Sequence, residues 1–586
     1  MKAFSVVAAL CLTAGLLHAA PVPSVDDLTL REQTGQTIMP RVLIGQQEAF
    51  KDAVLNGEVT GFFIKTGEGL VTFPSLTAKN QARFTAKQYK RLQKTIADLN
   101  KWAAQSRHKI PLIFALDYEG GTVTSPMYMG LKQMPSNMLL AASGQEDVVA
   151  QMYAAQALEI KKSGSNMALG PDTDVNSNPN NPIINARSFG DNTAQVGAYA
   201  LAAVKALQQN GVPATNKHFP GHGDTAVDSH KSQPVTDLPE QELWNTHIAA
   251  FEPSVKEADA FLSAHVVYPA LDADNSASFS SKILKGLLRG KMGYKGVIIT
   301  DGLDMGAVSD VPVESIILRS YKAGNNVLLL SGDVKNIEQA RQYPHIAAGF
   351  VQKSVAGVED EGLDPESHVT RAEIRSSAQK VLDLKKKMGL FDPAPVVKET
   401  GYEAAALRAA QEGVTLVRAA EENAIIPLKR CQTRPNGKTA CDKRNVCSVF
   451  FADGIFSLQL KAFNKTLKKG GMKVHSVQAP FAAQEKDLQA ALDCLSEADA
   501  LVIGTSGGRV MNPNQTAYVQ QLLGIAKEQE KPAALISLLN PYEISSYPQA
   551  DTVLAVYGAT KESMEVAAQI LLGDAPAKGK LPVQLP

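Results

Sequence analysis

Residues 216–230 read Asn-Lys-His-Phe-Pro-Gly-His-Gly-Asp-Thr-Ala-Val-Asp-Ser-His. Three of the chain's ten histidines, His218, His222 and His230, stand there beside Lys217, Asp224 and Asp228. Pro220, Gly221 and Gly223 rule out a regular helix through the middle. Such a loop loses backbone entropy and buries little apolar surface, so its titratable groups ask for a chemical use. A merely solvated polar loop is one reading. A metal site built from His218, His222, Asp228 and His230 is another, but Phe219-Pro220-Gly221 breaks the i,i+4 registration that helical ligands use. The third is acid/base chemistry. Asp228 and His230 are two apart, so on an extended segment they point the same way. A carboxylate beside an imidazole fixes its tautomer and favours the protonated ring, which suits proton transfer near neutral pH.

A further carboxylate, Asp301, ends the apolar run Gly296-Val-Ile-Ile-Thr and precedes Gly302-Leu303-Asp304-Met305. An N-cap aspartate in a β/α loop would look the same. A carboxylate and a proton donor across a cleft are also what cleavage of a glycosidic bond requires.

The run Lys217-His218-Phe219-Pro220-Gly221-His222-Gly223-Asp224-Thr225, followed by Asp228-Ser229-His230, resembles the catalytic loop of glycoside hydrolase family 3 β-N-acetylglucosaminidases. The resemblance extends from about residue 30 to the C-terminus. It implies a retaining exo-enzyme that removes terminal β-linked GlcNAc from peptidoglycan-derived fragments or chitooligosaccharides, with no cofactor and no metal. It assigns Asp301 as nucleophile, with Gly302 standing where many relatives carry a second acid, and His230 as general acid/base with Asp228 as its partner. Asp117, in Asp117-Tyr118-Glu119-Gly120-Gly121, matches a carboxylate that accepts sugar hydroxyls, and Arg187, Lys217 and His218 match the other substrate contacts. One position departs. Family members often carry Arg shortly after the Glu-Gly-Gly turn, whereas this chain has Ser125, so the guanidinium fork is lost there and its sugar contact is either absent or supplied by another residue such as Lys132. Alternatives are a β-glucosidase-like or phosphorolytic glycosidase and an inactive glycan-binding barrel.

The elements that must position these residues show as short β-rich runs alternating with helical stretches. The runs cover 41–45, 60–65, 111–117, 166–171, 212–218, 260–266, 295–301 and 326–331, with helices such as 85–104, 147–162, 193–210 and 238–258 between them. Eight such repeats predict a (β/α)₈ barrel over 25–388, with a doubly wound open sheet as runner-up. The polar motifs fall near the C-terminal ends of these runs, the face on which such barrels carry their sites. Gly389 to Pro395 breaks a helix over 371–388 and predicts a linker at 389–400. Alternation resumes over 401–586, which predicts a smaller α/β sandwich.

Length and composition agree. The 586 residues exceed one ordinary core, and 44% hydrophobic with 20% charged residues is a globular balance. Net charge is +0, which predicts no general attraction to nucleic acid. Met1-Lys2, an apolar run from Ala3 to Leu17 and His18-Ala19-Ala20-Pro21 read as a signal peptide over 1–19, hence an exported, periplasmic or secreted protein without a membrane span after cleavage. Cys431, Cys441, Cys447 and Cys494 then allow one or two disulfides among three possible pairings.

Overall fold

The computed structural model describes residues 22–586 apart from 67–77, 124, 309–310, 331–336, 358–367, 393–396, 420–423, 434–435, 437–438 and 508–511. The expected signal peptide and the middle of the expected linker lie outside the described residues.

The fold is α/β. In the first part of the chain the strands are β1 (Ile38–Leu43), β2 (Gly61–Lys65), β3 (Ile113–Leu116), β4 (Met167–Ala168), β5 (Thr215–Phe219), β6 (Ala260–Ser263), β7 (Val297–Thr300) and β8 (Leu328–Leu330). These eight pair in parallel; a separate antiparallel pair joins Val267–Tyr268 to Asp272–Ser276. One ladder runs β8-β1-β2-β3-β4 and another β5-β6-β7. Isolated bridges Asp172↔Lys217 and Ile299↔Val327 lie between the two ladders, Asp172 past the end of β4 and Val327 just before β8, and β8 pairs with β1.

The period-two alternation of the strands separates two apolar populations. Met39, Phe63, Ile113, Ala115, Ile299 and Leu329 pack together within the strand assembly. Ile38, Phe62, Phe114, Leu116, Ile298 and Leu328 face the surrounding helices. Those helices include α1 (Ala78–Ala103), α2 (Glu146–Ser163), α3 (Thr193–Gln209), α4 (Val313–Ala323), α5 (Ile337–Val355) and α6 (Arg371–Lys387). Helix α6 opens on a reciprocal cap between Thr370 and Glu373 and contributes Val381 and Leu384 to the inner cluster.

The expected helix over 238–258 is interrupted. Glu240–Leu243 is α-helical, Trp244–Ile248 is a π-turn, Ala249–Phe251 is α-helical again, and Glu252–Ser254 closes as 3₁₀. The irregular turn sets His247 against Gly221, where a Cβ would stand 2.7 Å from the His247 Cβ.

The last part of the chain forms a second, mostly parallel sheet. Its strands are β9 (Thr415–Arg418), β10 (Asn445–Phe451), β11 (Lys473–Ala479), β12 (Ala500–Thr505), β13 (Ala533–Ser537) and β14 (Thr552–Ala555), in the order β9-β14-β13-β12-β10-β11. Helices α7 (Tyr402–Gly413), α8 (Ser457–Lys469), α9 (Glu485–Ser496), α10 (Pro513–Glu528) and α11 (Lys561–Leu572) accompany it. Strand β11 carries no clear signature in the sequence. That strand is the sheet edge, and its run Lys-Val-His-Ser-Val-Gln-Ala is mostly exposed, so it lacks the apolar run that marks a buried strand. Both disulfides form. Cys431–Cys441 closes a short hairpin, and Cys447–Cys494 ties β10 to α9.

Candidate active site

A cavity of about 460 Å³ opens beyond the C-terminal ends of the first eight strands. Asp117, Arg187, Lys217, His218, His230 and Asp301 all line it. Six residues separated by up to 184 positions are thereby brought to one place: Asp117, Lys217, His218 and Asp301 within or just past strands, Arg187 and His230 on the loops that follow β4 and β5.

The floor is a charge network. Lys217, within β5, places its ammonium 2.8 Å from Asp117 and 2.6 Å from Glu119. Lys65, the last residue of β2, meets the other oxygen of Asp117 at 2.8 Å. Arg187 forks onto Glu119 at 2.8 and 3.1 Å, and its Nη2 lies 3.4 Å from Asp172 and 3.4 Å from His218 Nε2. Arg187 is therefore a buried clamp rather than a surface ion-pair residue. Burial would raise the Asp117 carboxyl, but Lys217 and Lys65 hold it below its ordinary value. Burial likewise opposes ionisation of Glu119, yet Arg187 and Lys217 bring it down to about 2. Asp172 goes the other way, pushed well above its ordinary value by burial and by the charge of Asp174.

His218 is fixed from behind by Asp174. Its Nδ1 lies 2.6 Å from Asp174 Oδ2, and its backbone N–H donates to Oδ1 at 3.2 Å. Asp174 Oδ1 also accepts the backbone N–H of His222 at 2.6 Å, so one carboxylate holds both histidines. His222 is a staple of the loop. Its Nδ1 is 2.9 Å from Thr225 Oγ1 and its Nε2 3.1 Å from Ser229 Oγ. Burial lowers its ring to about 4, so it stays neutral. Among the described residues Asp172, Asp174 and His218 bring possible ligand atoms within 4.8 Å of one another. The Arg187 guanidinium stands against that same cluster, which suits fixed charge pairing better than a cation. It is also a different set from the His218, His222, Asp228 and His230 group weighed in the sequence.

Asp228 and His230 do pair, at 2.9 Å between Oδ1 and Nδ1. The backbone route differs from the expectation. The segment is a turn, with Lys231 N–H donating to Asp228 O at 2.9 Å, and the Asp228 side chain accepts the His230 N–H at 3.0 Å. An aspartate folding back on the amide two residues on is an Asx-turn, and it delivers the carboxylate to the ring without an extended strand. The His230 side chain is 54% exposed and that of Asp228 12%, so the ring reaches the mouth while its partner sits behind.

Asp301 follows Thr300, the last residue of β7. Gly302 N–H donates to its Oδ1 at 2.8 Å. Burial would raise this carboxyl, but the nearby rings of His218 and His265, the Gly302 N–H and His230 together lower it, so the oxygen is an anion. His265 is locked by Ser278 Oγ at Nδ1 (2.6 Å) and the Gly302 carbonyl at Nε2 (3.1 Å). Asp304 also lines the cavity, but Arg41 from β1 pairs with it at 3.1 Å.

Lys132 does not take the place of an arginine at position 125. Its ammonium meets Glu403 at 2.7 Å and Glu159 at 3.0 Å and lies over the Tyr402 ring, away from the cavity. Ser125 itself lines the cavity, and the cations present there from neighbouring strands are Arg41 and Lys65. Sequence reasoning missed Arg41, Lys65 and Asp174, and treated Glu119 only as part of a turn motif. Their strand-end positions were the available signal.

A profile of the glycosyl hydrolase family 3 N-terminal domain matches residues 29–382. Beta-hexosaminidase A of Pseudoalteromonas piscicida is 29% identical over 535 residues, covering 83% of this chain and 85% of its own. Beta-N-acetylglucosaminidase/beta-glucosidase of Cellulomonas fimi is 27% identical over 518 residues, covering 82% and 84%. Among solved structures, a glycoside hydrolase family 3 β-N-acetylglucosaminidase from Paenibacillus sp. str. FPU-7 superposes with a TM-score of 0.78 at 26% identity, over 95% of this chain and 99% of that one.

Proposed function

From the premise that this chain belongs to glycosyl hydrolase family 3, we propose that it is a retaining exo-β-N-acetylglucosaminidase. The observation that carries the reading is the pairing of an anionic Asp301 with the mouth-exposed Asp228–His230 dyad over one charged cavity. The relatives named β-hexosaminidase and β-N-acetylglucosaminidase support the choice of sugar. The sequential order of the eight strands, with β8 back on β1 and isolated bridges between the two ladders, supports reading them as a (β/α)₈ barrel, followed after a short linker by an α/β sandwich over 401–586.

In the proposed mechanism Asp301 attacks the anomeric carbon while His230 protonates the departing oxygen. Asp228 holds the ring in the tautomer and direction that the transfer needs. Water, deprotonated by His230, then releases the sugar from Asp301. An imidazole suits this site because it cycles between neutral and cationic forms beside Asp301, where a second carboxylate would add like charge. Asp117, Arg187, Lys217 and His218 bind the sugar's hydroxyls, with Asp117 oriented by two ammonium groups. Arg41 and Lys65 take over the cationic role that Ser125 lacks.

The natural substrates are proposed to be terminal GlcNAc units of peptidoglycan-derived fragments or chitooligosaccharides, met outside the cytoplasm after removal of residues 1–19. Turnover of nitrophenyl β-GlcNAc and β-Glc, with and without phosphate, tests the reading. Free GlcNAc as the product, a strong preference for the GlcNAc glycoside and indifference to phosphate are expected. A preference for β-Glc identifies a β-glucosidase, and a sugar 1-phosphate identifies phosphorolysis. No turnover of either glycoside leaves a binding barrel.

A further inference from the structure

A second cavity, of about 1030 Å³, opens between α8 and the edge strand β11. Lys461, Lys465 and Lys468 stand at i, i+4 and i+7, on one face of α8. Lys469 adds a fourth ammonium, and Lys486, in the first turn of α9, a fifth. Among the described residues none of these five lysines meets a carboxylate. One carboxylate, Asp487, lines the cavity, and its Oδ2 is occupied in capping α9 by accepting the Gln484 N–H at 2.9 Å. A chain with net charge +0 therefore gathers uncompensated positive charge in one groove. Val477, Ala479 and Pro480 provide an apolar side, and Ser476 and Asn464 add neutral polar groups.

We propose that this groove binds an anionic glycan, a sugar polymer carrying carboxylate or phosphodiester groups, separately from the cavity at Asp301. Lys461 and Lys468 are about 10 Å apart along the helix axis, the span of two or three successive charges on an extended polymer. Lysine is a mobile point charge that accepts either anion without demanding a bidentate geometry. Sugar rings present C–H faces to the apolar residues and hydroxyls to Ser476 and Asn464. A bare polyphosphate uses neither, and this decides for a glycan. The groove concerns a different surface from the glycosidase site and does not depend on the roles assigned there.

The test is fluorescence anisotropy of labelled polygalacturonate and labelled phosphomannan with the full chain, with dextran and poly-L-glutamate as comparison probes. Lys461→Gln, Lys465→Gln and Lys468→Gln are combined in one variant. A control variant combines Lys87→Gln, Lys90→Gln and Lys101→Gln on α1, which removes the same net charge elsewhere. The groove variant should bind the anionic glycans about a hundredfold more weakly, from about fivefold per lysine at a polyanionic surface. The control should bind like the parent, and both should turn over nitrophenyl β-GlcNAc as the parent does. Tighter binding of polygalacturonate than of phosphomannan, or the reverse, identifies which anion the groove takes. Equal losses in both variants reduce the effect to net charge and overturn the proposal. So does tighter binding of poly-L-glutamate, which would make the occupant an acidic peptide, and so does failure of both anionic glycans to bind.

Discussion

In the proposed mechanism proton transfer turns on His230, whose placement separates the two tasks assigned to it. The exposed ring lines the cavity mouth, where a leaving group would stand, while the turn that carries it locks Asp228 behind Nδ1. Removing the ring should hurt most where the leaving group cannot depart unaided. His230→Ala is expected to slow glycosylation by a GlcNAc oligosaccharide by about 10²–10⁴-fold, the usual worth of general acid catalysis, and by far less with a nitrophenyl glycoside. Rapid-quench measurement of the first turnover checks this, and equal losses on the two substrates would leave the loop a structural role only. Asp228→Ala should show a milder form of the same pattern, because the ring keeps its place but loses its orienting partner. At this scale the sequence was readable wherever a polar side chain interrupts an apolar strand end, as at Asp117, Lys217 and Asp301. It was not readable where a role depends on a partner distant in the chain. Nothing local shows that Asp174 holds His218, that Arg41 neutralises Asp304, or that Lys132 turns away to Glu159 and Glu403.

Two loops set the site's shape at the scale of elements, and they touch at Gly223. A Cβ there would stand 1.7 Å from the Val175 carbonyl oxygen, a backbone atom that cannot swing away. Gly223→Ala should therefore push the 172–178 segment and the 216–230 loop apart. The expected cost is about 1–3 kcal/mol of stability, as for other overpacked positions, with a loss of turnover larger than the melting shift explains. Melting curves beside kcat for the same preparation measure both, and a variant with normal kcat would show that the two loops need not touch. The element pattern itself was largely legible, since buried parallel strands are apolar runs and the helices between them carry clear periodicity. Edge strand β11, the π-turn at Trp244–Ile248 and the Asx-turn at Asp228 were not, because each departs from a regular period for reasons of tertiary contact.

Across the whole molecule, the second sheet braces the first site. Asn176 donates to the Tyr542 hydroxyl at 2.8 Å, Asp191 N–H donates to the Pro582 carbonyl, and Gly121 of the Glu-Gly-Gly turn lies against the Tyr557 carbonyl oxygen. Glu543, next to Tyr542, is buried, and Ser537 and Thr505 donate to its Oε1 at 2.7 and 2.9 Å. Burial pushes this carboxyl up from 4.5 to about 7 despite those donors. In the window between the two values the folded chain holds a proton that the unfolded chain has released. Stability from this group is thus greatest below about pH 4.5, falls as pH rises towards about pH 7 and stays lower above, by an amount on the order of 3 kcal/mol. Glu543→Gln removes the titration while keeping an acceptor. Its melting temperature should rise relative to the parent's between about pH 5 and about pH 8, and a pH-independent difference would contradict the account.

The central claim is that Asp301 becomes covalently bonded to the sugar. Incubating the wild-type chain with a slow fluorinated GlcNAc donor, quenching, digesting and sequencing the labelled peptide by mass spectrometry tests it directly. The account predicts one glycosyl adduct, on Asp301. An adduct on Asp304, or on Asp228 or His230, would contradict it.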